Sequence, residues 1–388
     1  MLKSISFVSA SKLVVILSQF LFLAVFASKL PVEDFGNYAL ALSVVTPVVW
    51  ALAFDAPVKI ISNCLETKNL FVVLFPNIII LSALSSAIFL VEVSTFYLLL
   101  ILLFVFKFGE IVSEIEYASL KREEKFITFS VVSSIRFSFV YVFGAVAIIS
   151  GNQVVASIAI LSILSMVFAL WSVLRLTREG WKFDFKFNNI LPYIVRNKNL
   201  GVASGLKFFS SNLMRYFIAF YFGISSLGYM TPVFYGLTAL SNMTDIFYNV
   251  FSPKILKHID DDNRFSIVSN KRELITLLFL SMLIIILTLL FSDDYYSFFY
   301  PENNENYHFL LIVFSFGWFF YVLRAVLKAV SYRLKLQHLQ LKIQVIFAFL
   351  LTIFMFIFSW LFGVLGVSIA FVVSNAIVSF YYIFKIRW

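Results

Sequence analysis

The chain has 388 residues, of which 61% are hydrophobic and 13% are charged, and it carries a formal net charge of +9. A soluble domain has roughly 45–50% apolar and about 25% charged residues, so this composition excludes an ordinary soluble globular protein. There is a single cysteine, the three histidines are scattered, and the sequence has no glycine-rich phosphate loop. We therefore expect no disulfide framework, no metal, no cofactor, no catalytic site and no nucleic-acid partner.

Apolar runs between polar breaks predict an all-α, polytopic membrane protein with about twelve transmembrane helices, since one crossing needs roughly 20 apolar residues. In chain order the predicted spans are 5–27, 37–60, 70–91, 94–113, 126–149, 154–176, 200–222, 229–252, 274–291, 308–330, 343–362 and 364–384. The first span has Lys3 ahead of its apolar stretch, as a signal peptide does, but eleven more follow and we expect it to be retained.

The distribution of lysine and arginine predicts the orientation, because these residues are enriched on the cytoplasmic side of membrane proteins. With the N-terminus inside, 23 of the 30 lysines and arginines fall in cytoplasmic segments or at the cytoplasmic ends of spans, six lie deeper within spans, and Lys29 alone falls outside. Both termini are therefore predicted to be cytoplasmic.

The second half of the sequence resembles the first, since Ser9-Ala10-Ser11-Lys12 aligns with Ser204-Gly205-Leu206-Lys207. Both halves begin on the same side, which predicts a parallel repeat about an axis along the membrane normal. We expect a six-helix lobe at 1–176, a basic cytoplasmic linker at 177–199 and a second six-helix lobe at 200–388. The two lobes are expected to surround a central cationic cleft.

Basic residues inside the predicted spans are the main functional signal. A lysine or arginine at the bilayer centre costs about 2.5–3.5 kcal/mol, so these side chains are expected to face protein or water. The helical period places Lys207 with Arg215, and Arg324 with Lys328, on single faces of their spans. The bases within spans are Lys107, Arg136, Lys207, Arg215, Arg324 and Lys328.

The acids inside the spans are fewer, namely Asp55, Glu110 and Asp245, which leaves a surplus of positive charge. Salt bridges within one helix are one interpretation of Lys107 with Glu110 and of Asp55 with Lys59. Interhelical hydrogen bonding is an alternative role for the other polar residues. The surplus cations favour a water-filled cleft that admits an anionic group, and a phosphate or pyrophosphate linkage is the plainest candidate.

The longest predicted external connection, at 292–307, is acidic and rich in aromatic residues. Tyrosines in its 295–301 segment would suit stacking on sugar rings at an external mouth. The alternative is an interfacial aromatic belt, which membrane proteins commonly have.

Three segments carry a resemblance to a known family. They are Ser11-Lys12 followed by Leu30-Pro31-Val32-Glu33-Asp34-Phe35-Gly36-Asn37-Tyr38; Asn212-Leu213-Met214-Arg215 followed by Leu227-Gly228-Tyr229 and Ser252-Pro253-Lys254; and Gly363-Val364-Leu365-Gly366-Val367-Ser368-Ile369-Ala370. In this combination the chain resembles the oligosaccharide flippases of the polysaccharide biosynthesis family, the Wzx-type O-antigen and repeat-unit translocators of the multidrug/oligosaccharidyl-lipid/polysaccharide exporter (MOP) superfamily. That family often has an acidic residue before the arginine of the seventh span, where this chain has Met214.

The resemblance implies two six-helix lobes in the bacterial inner membrane and alternating access for an undecaprenyl-pyrophosphate-linked oligosaccharide. It implies contact with membrane lipids, and it allows a polysaccharide polymerase and a chain-length regulator as partners. Our hypothesis is that the head group is received by Lys12, Lys107, Arg136, Lys207, Arg215, Arg324 and Lys328. The acids available for proton or sodium coupling are Asp55, Glu110 and Asp245.

Three other classes share some of these features. A multidrug antiporter of the same superfamily calls for acids in its cavity, whereas these spans are net basic. A membrane-embedded repeat-unit polymerase or ligase carries a large external catalytic loop, but the longest external connection here has about 16 residues. A flippase for a lipid-linked peptidoglycan precursor usually has more spans than 388 residues allow. The sugar composition and the pathway, whether O-antigen, capsule or exopolysaccharide, stay open.

Overall fold

The computed structural model describes residues 2–61, 69–86, 94–151, 153–184, 187–239, 271–300, 308–333 and 338–385. These ranges are almost entirely helical, and the strand-like pairing within them is one isolated bridge between Asn69 and Lys182. The prediction of an all-α polytopic fold is confirmed.

The helices are α1 (Leu2–Lys29), α2 (Val32–Leu52), α3 (Ala56–Ile61), α4 (Leu70–Ser86), α5 (Thr95–Arg122), α6 (Phe126–Ile149), α7 (Val154–Arg178), α8 (Ile190–Tyr221), α9 (224–239), α10 (Lys271–Phe299), α11 (His308–Arg333), α12 (His338–Phe362) and α13 (Leu365–Lys385). Of the part that the structure describes, eight helices are long and apolar enough to cross a membrane, and α4 and α11 hold shorter apolar stretches.

Several helix boundaries differ from the predicted spans. Helix α5 continues to Arg122 and α10 to Phe299, so residues 292–299 of the predicted external connection are helical. Two further differences affect other elements. The predicted span 37–60 is interrupted, because Phe54 and Asp55 have left-handed backbone angles (φ 49° and 57°) between α2 and α3. A left-handed residue cannot continue a right-handed helix, so Asp55 lies in a turn. In the second case α8 begins at Ile190, inside the predicted linker.

The chain forms two compact units, Met1–Asn212 (unit 1) and Leu213–Trp388 (unit 2), and the boundary between them falls within α8. In unit 1 the most extensive contacts join α1 to α6 and α5 to α7. In unit 2 they join α13 to α11 and to α12.

The α5–α7 pair is held by serine hydroxyls that donate to main-chain carbonyls of the facing helix. Ser162 donates to Leu102 at 2.7 Å and Ser165 to Phe106 at 2.9 Å, over separations of 60 and 59 residues. The acceptor position on α5 advances together with the donor position on α7, so the two helices run parallel. Gly109 permits the close approach, since a Cβ there would lie 2.8 Å from the Ser165 carbonyl oxygen. Small residues and hydroxyls commonly join membrane helices in this way.

Unit 2 repeats this arrangement between α11 and α13. Ser379 donates to the Phe320 carbonyl oxygen at 3.0 Å, again over 59 residues. The equivalent bond in unit 1, from Ser165 to Phe106, spans the same distance along the chain. The two units thus share a serine-to-carbonyl bond over the same number of residues, while the internal repeat stays a prediction.

The aromatic segment at the end of α10 packs against α9 within unit 2. The Tyr295 hydroxyl donates to the Pro232 carbonyl oxygen at 2.8 Å, and the Tyr300 hydroxyl donates to the Gly228 carbonyl oxygen at 3.1 Å. Burial raises the pKa of Tyr300 above its ordinary value. These hydroxyls donate to main-chain carbonyls of α9, so this aromatic segment holds α10 against α9. Stacking of its rings on sugars stays a prediction.

Candidate functional site

The first charged pair of unit 1 lies on α5. The Lys107 ammonium is 2.6 Å from a Glu110 carboxylate oxygen, and the two side chains are 14% and 16% exposed. The i, i+3 spacing places the two groups one turn apart on the same face. Of the interpretations that the sequence left open for these residues, the structure shows the salt bridge.

Arg136 on α6 is 2% exposed and lies in the interior of unit 1. Its Nη2 donates to the Ser165 hydroxyl at 3.3 Å, while its Nη1 is enclosed without a hydrogen-bond partner in the part that the structure describes. Its charge acts on the nearby Glu114 carboxylate and Tyr117 hydroxyl of α5. Arg136 therefore faces the α5–α7 pair.

A second ion-pair network, which the sequence did not suggest, joins α5 and α7. Glu116 is 1% exposed, lies 3.3 Å from the Arg175 guanidinium and accepts a 2.7 Å hydrogen bond from the Ser172 hydroxyl. Arg175 is also 3.7 Å from Glu179, the residue that follows α7. Serines at 162, 165 and 172 in an otherwise apolar helix were the available signal of a polar interface.

The remaining candidates of unit 1 are separate from these pairs. Lys207 on α8 has an exposed side chain whose ammonium lies 5.4 Å from the Phe208 ring centroid. Lys12 on α1 is partly buried. Lys59 donates a hydrogen bond to Asn197 and lies 5.6 Å from the Tyr193 ring centroid, which ties α3 to the first turns of α8.

In unit 2 the two candidate arginines whose side chains are described, Arg215 and Arg324, lie beside aromatic rings. The Arg215 guanidinium lies 5.3 Å from the Phe234 ring centroid and 5.7 Å from that of Tyr235. The Arg324 guanidinium lies 4.5 Å from the centroid of Phe347. Rings at these distances stabilise a cation by an estimated 0.5 to about 2 kcal/mol.

Two predicted site elements lie outside what the structure describes. Asp245 is outside the described residues, as is the side chain of Lys328. Among the described residues, no group of three or more His, Cys, Asp or Glu side chains is arranged to hold a metal ion. The described basic candidates are therefore Lys107 and Arg136 in the interior of unit 1, partly buried Lys12, exposed Lys207, and Arg215 and Arg324 beside aromatic rings of unit 2.

Comparison with known proteins gives a match at the level of fold. No protein-family model and no curated protein matches the chain. Among solved structures, lipid II flippase MurJ in an inward closed conformation aligns with 99% of this chain and 87% of its own, at 16% identity and a TM-score of 0.75.

Two other transporters align over similar lengths. An outward-facing multidrug resistance MATE family transporter of the MOP superfamily aligns over 98% of this chain and 94% of its own, at 15% identity and a TM-score of 0.58. A MOP superfamily transporter from Pyrococcus furiosus, whose reversed pocket polarity suggests a different function, has the same coverages, 14% identity and a TM-score of 0.57. The chain has the fold of a polytopic membrane transporter, and that fold is the one of MurJ and the MATE transporters.

Proposed function

We propose that the protein is a flippase that moves an undecaprenyl-pyrophosphate-linked oligosaccharide from the cytoplasmic to the periplasmic leaflet of a bacterial inner membrane by alternating access. The observation that carries the proposal is the alignment of almost the whole chain with a flippase of lipid II. Six-helix lobes at 1–176 and 200–388, cytoplasmic termini, and a polymerase and chain-length regulator as partners belong to the same proposal.

The polarity of the membrane helices favours an anionic substrate. Lys207 is exposed on α8, and Arg324 is partly exposed on the apolar part of α11. Like charges repel strongly in a low-dielectric environment, so each of these residues by itself disfavours a cationic drug. Ammonium and guanidinium groups bind phosphate oxygens through charge-assisted hydrogen bonds, which suits a pyrophosphate link.

The proposal is tested in a strain from which the gene has been deleted. Polyprenyl-linked repeat units are quantified and assigned to a leaflet, and surface polysaccharide is measured in parallel. We expect single repeat units to accumulate on the cytoplasmic leaflet. Units that reach the periplasmic leaflet but stay unpolymerised would instead identify a polymerase or ligase.

A second candidate is transport of a lipid-linked peptidoglycan precursor, which the MurJ alignment favours despite the shorter chain. A strain depleted of its own lipid II flippase separates the two functions. Restored growth and outward movement of lipid II on expression of this chain would favour the second candidate. Unchanged arrest, together with trapped repeat units in the deletion strain, favours the first.

A further inference from the structure

Lys107 of unit 1 already has an acidic partner. Its ammonium lies 2.6 Å from the Glu110 carboxylate. The pair of Glu116 with Arg175 likewise joins one charge of each sign. An anionic ligand at Lys107 would have to compete with a carboxylate that is already in place, and separating a buried ion pair leaves an uncompensated charge.

Arg324 has a different environment. Its side chain forms no ion pair with any acid in the described parts of the chain. Its guanidinium lies 4.5 Å from the Phe347 centroid and 5.4 Å from that of Tyr321. The Nη1 atom is enclosed and has no hydrogen-bond partner among the described residues.

This environment is unfavourable without a ligand. A buried donor left without a partner costs about 1–3 kcal/mol, and more when it is charged. Aromatic faces cover the π surface of a guanidinium but leave its in-plane N–H groups, which are the donors that bind phosphate oxygens in a fork. An oxyanion that reached the Arg324 edge would satisfy the donor and the charge together.

We propose that the anionic head group of the substrate is bound through Arg324 of unit 2, while Lys107 neutralises Glu110 of unit 1 and positions its helix. The inference rests on the proposed lipid-linked anionic substrate. It assigns different roles to two basic residues of the spans, since Arg324 binds the substrate and Lys107 acts through its own ion pair. Because Nη1 is enclosed, binding requires a movement of the side chains around Arg324.

The test uses the full-length protein in lipid nanodiscs and two probes, undecaprenyl pyrophosphate and uncharged undecaprenol. The variants are Arg324→Gln and Arg324→Met, the second of which keeps an apolar contact with Phe347. Lys107→Gln and the double variant Lys107→Gln/Glu110→Gln are the matched controls. Affinity and melting temperature are measured for each protein.

We expect the wild-type protein to prefer the pyrophosphate by tenfold or more, and both Arg324 variants to lose most of that preference. Their melting temperature without ligand should equal or exceed that of the wild type, because a charge without an ionic partner in the described ranges has been removed. Lys107→Gln should lower the melting temperature, and the double variant should recover it and bind within about threefold of the wild type.

Three results would overturn the inference. They are full preference in a folded Arg324 variant, a double variant that loses as much binding as the Arg324 variants, or a lower melting temperature in both Arg324 variants. A wild-type protein with no preference for the pyrophosphate would instead remove the proposed substrate class, and the inference with it. The preference of the wild type for the pyrophosphate therefore tests the proposed substrate class, and the Arg324 variants then test the proposed site.

Discussion

The hydroxyl of Tyr300 donates a hydrogen bond to the carbonyl oxygen of Gly228 at 3.1 Å, and Pro232 explains why that oxygen is available. In an α-helix the amide of residue 232 would bind the carbonyl of residue 228, but proline has no N–H. The phenol from the end of α10 therefore replaces a hydrogen bond that the sequence of α9 cannot make.

We predict that Tyr300→Phe destabilises the protein by about 1–3 kcal/mol, because it leaves the buried Gly228 carbonyl without a donor. Thermal unfolding in detergent measures the change. Tyr221→Phe, on an exposed ring, is the matched control and should have little effect. In a Pro232→Ala background, which restores the helix amide, the cost of Tyr300→Phe should fall. An equal cost in both backgrounds would contradict the assignment.

The buried pair of Glu116 and Arg175 should be sensitive to loss of one partner. We expect Arg175→Met to destabilise unit 1 by about 2–3 kcal/mol, since it leaves a buried carboxylate with only the Ser172 hydrogen bond. The double variant Glu116→Gln/Arg175→Met should recover most of the loss in melting temperature.

An exposed pair provides the control for this prediction. The Lys125 ammonium lies 2.6 Å from a Glu123 carboxylate oxygen, but the two side chains are 51% and 38% exposed. The hydrogen bond to Glu123 raises the pKa of Lys125. Exposed pairs contribute little, so Glu123→Gln should leave the melting temperature almost unchanged. Similar losses for Glu123→Gln and Arg175→Met would show that burial of Glu116 is not the cause.

The approach of α5 to α7 should depend on Gly109. A Cβ at this position meets main-chain atoms of Ser165, whereas a Cβ at Gly144 meets the Leu161 side-chain tip at 2.6 Å. We predict a loss of about 1–3 kcal/mol for Gly109→Ala and a smaller loss for Gly144→Ala, because a side-chain tip moves more easily than a backbone. Melting temperatures of the two variants test the order, and a reversed order would contradict it.

The segment after α7 should become accessible when Asn69 is replaced. The Asn69 side chain accepts from the Phe71 amide at 3.0 Å, donates to the Asp184 carbonyl oxygen at 2.8 Å and accepts from the Asp184 amide at 3.3 Å. We expect Asn69→Ala to increase tryptic cleavage after Lys182 about tenfold, since local opening costs less without these bonds. Exposed Asn188→Ala is the control, and equal rates for both variants would refute the prediction.

Hydropathy located the membrane helices because that signal is local to each span. It did not locate the turn at Phe54 and Asp55, where neither residue is a glycine. Pro57, in the first turn of α3, was the available sign that a helix begins there. The two left-handed residues are stabilised by tertiary contacts such as that of Phe54 with Tyr193, which a single-span pattern does not contain.

Of the two salt bridges suggested within a helix, the structure shows the one of Lys107 with Glu110, whereas none joins Asp55 to Lys59 in the described residues. The spacing of Lys107 and Glu110 indicated a pair, and the structure shows it. The pair of Glu116 and Arg175 joins residues from different helices, so no short spacing could reveal it. The isolation of Arg324 from the described acids likewise follows from the packing of α11 against its neighbours and not from a sequence motif.

The contact of Asn69 with Asp184 joins positions 115 residues apart. During synthesis at about 5–20 residues per second, roughly 6–23 s pass between the emergence of the two partners. Until then the start of α4 lacks the contacts that later fix it, although α5, α6 and α7 are already made. The rate of synthesis thus sets the earliest time at which the start of α4 is fixed, and a translational pause before residue 184 would prolong the exposure of this helix end to proteases and chaperones.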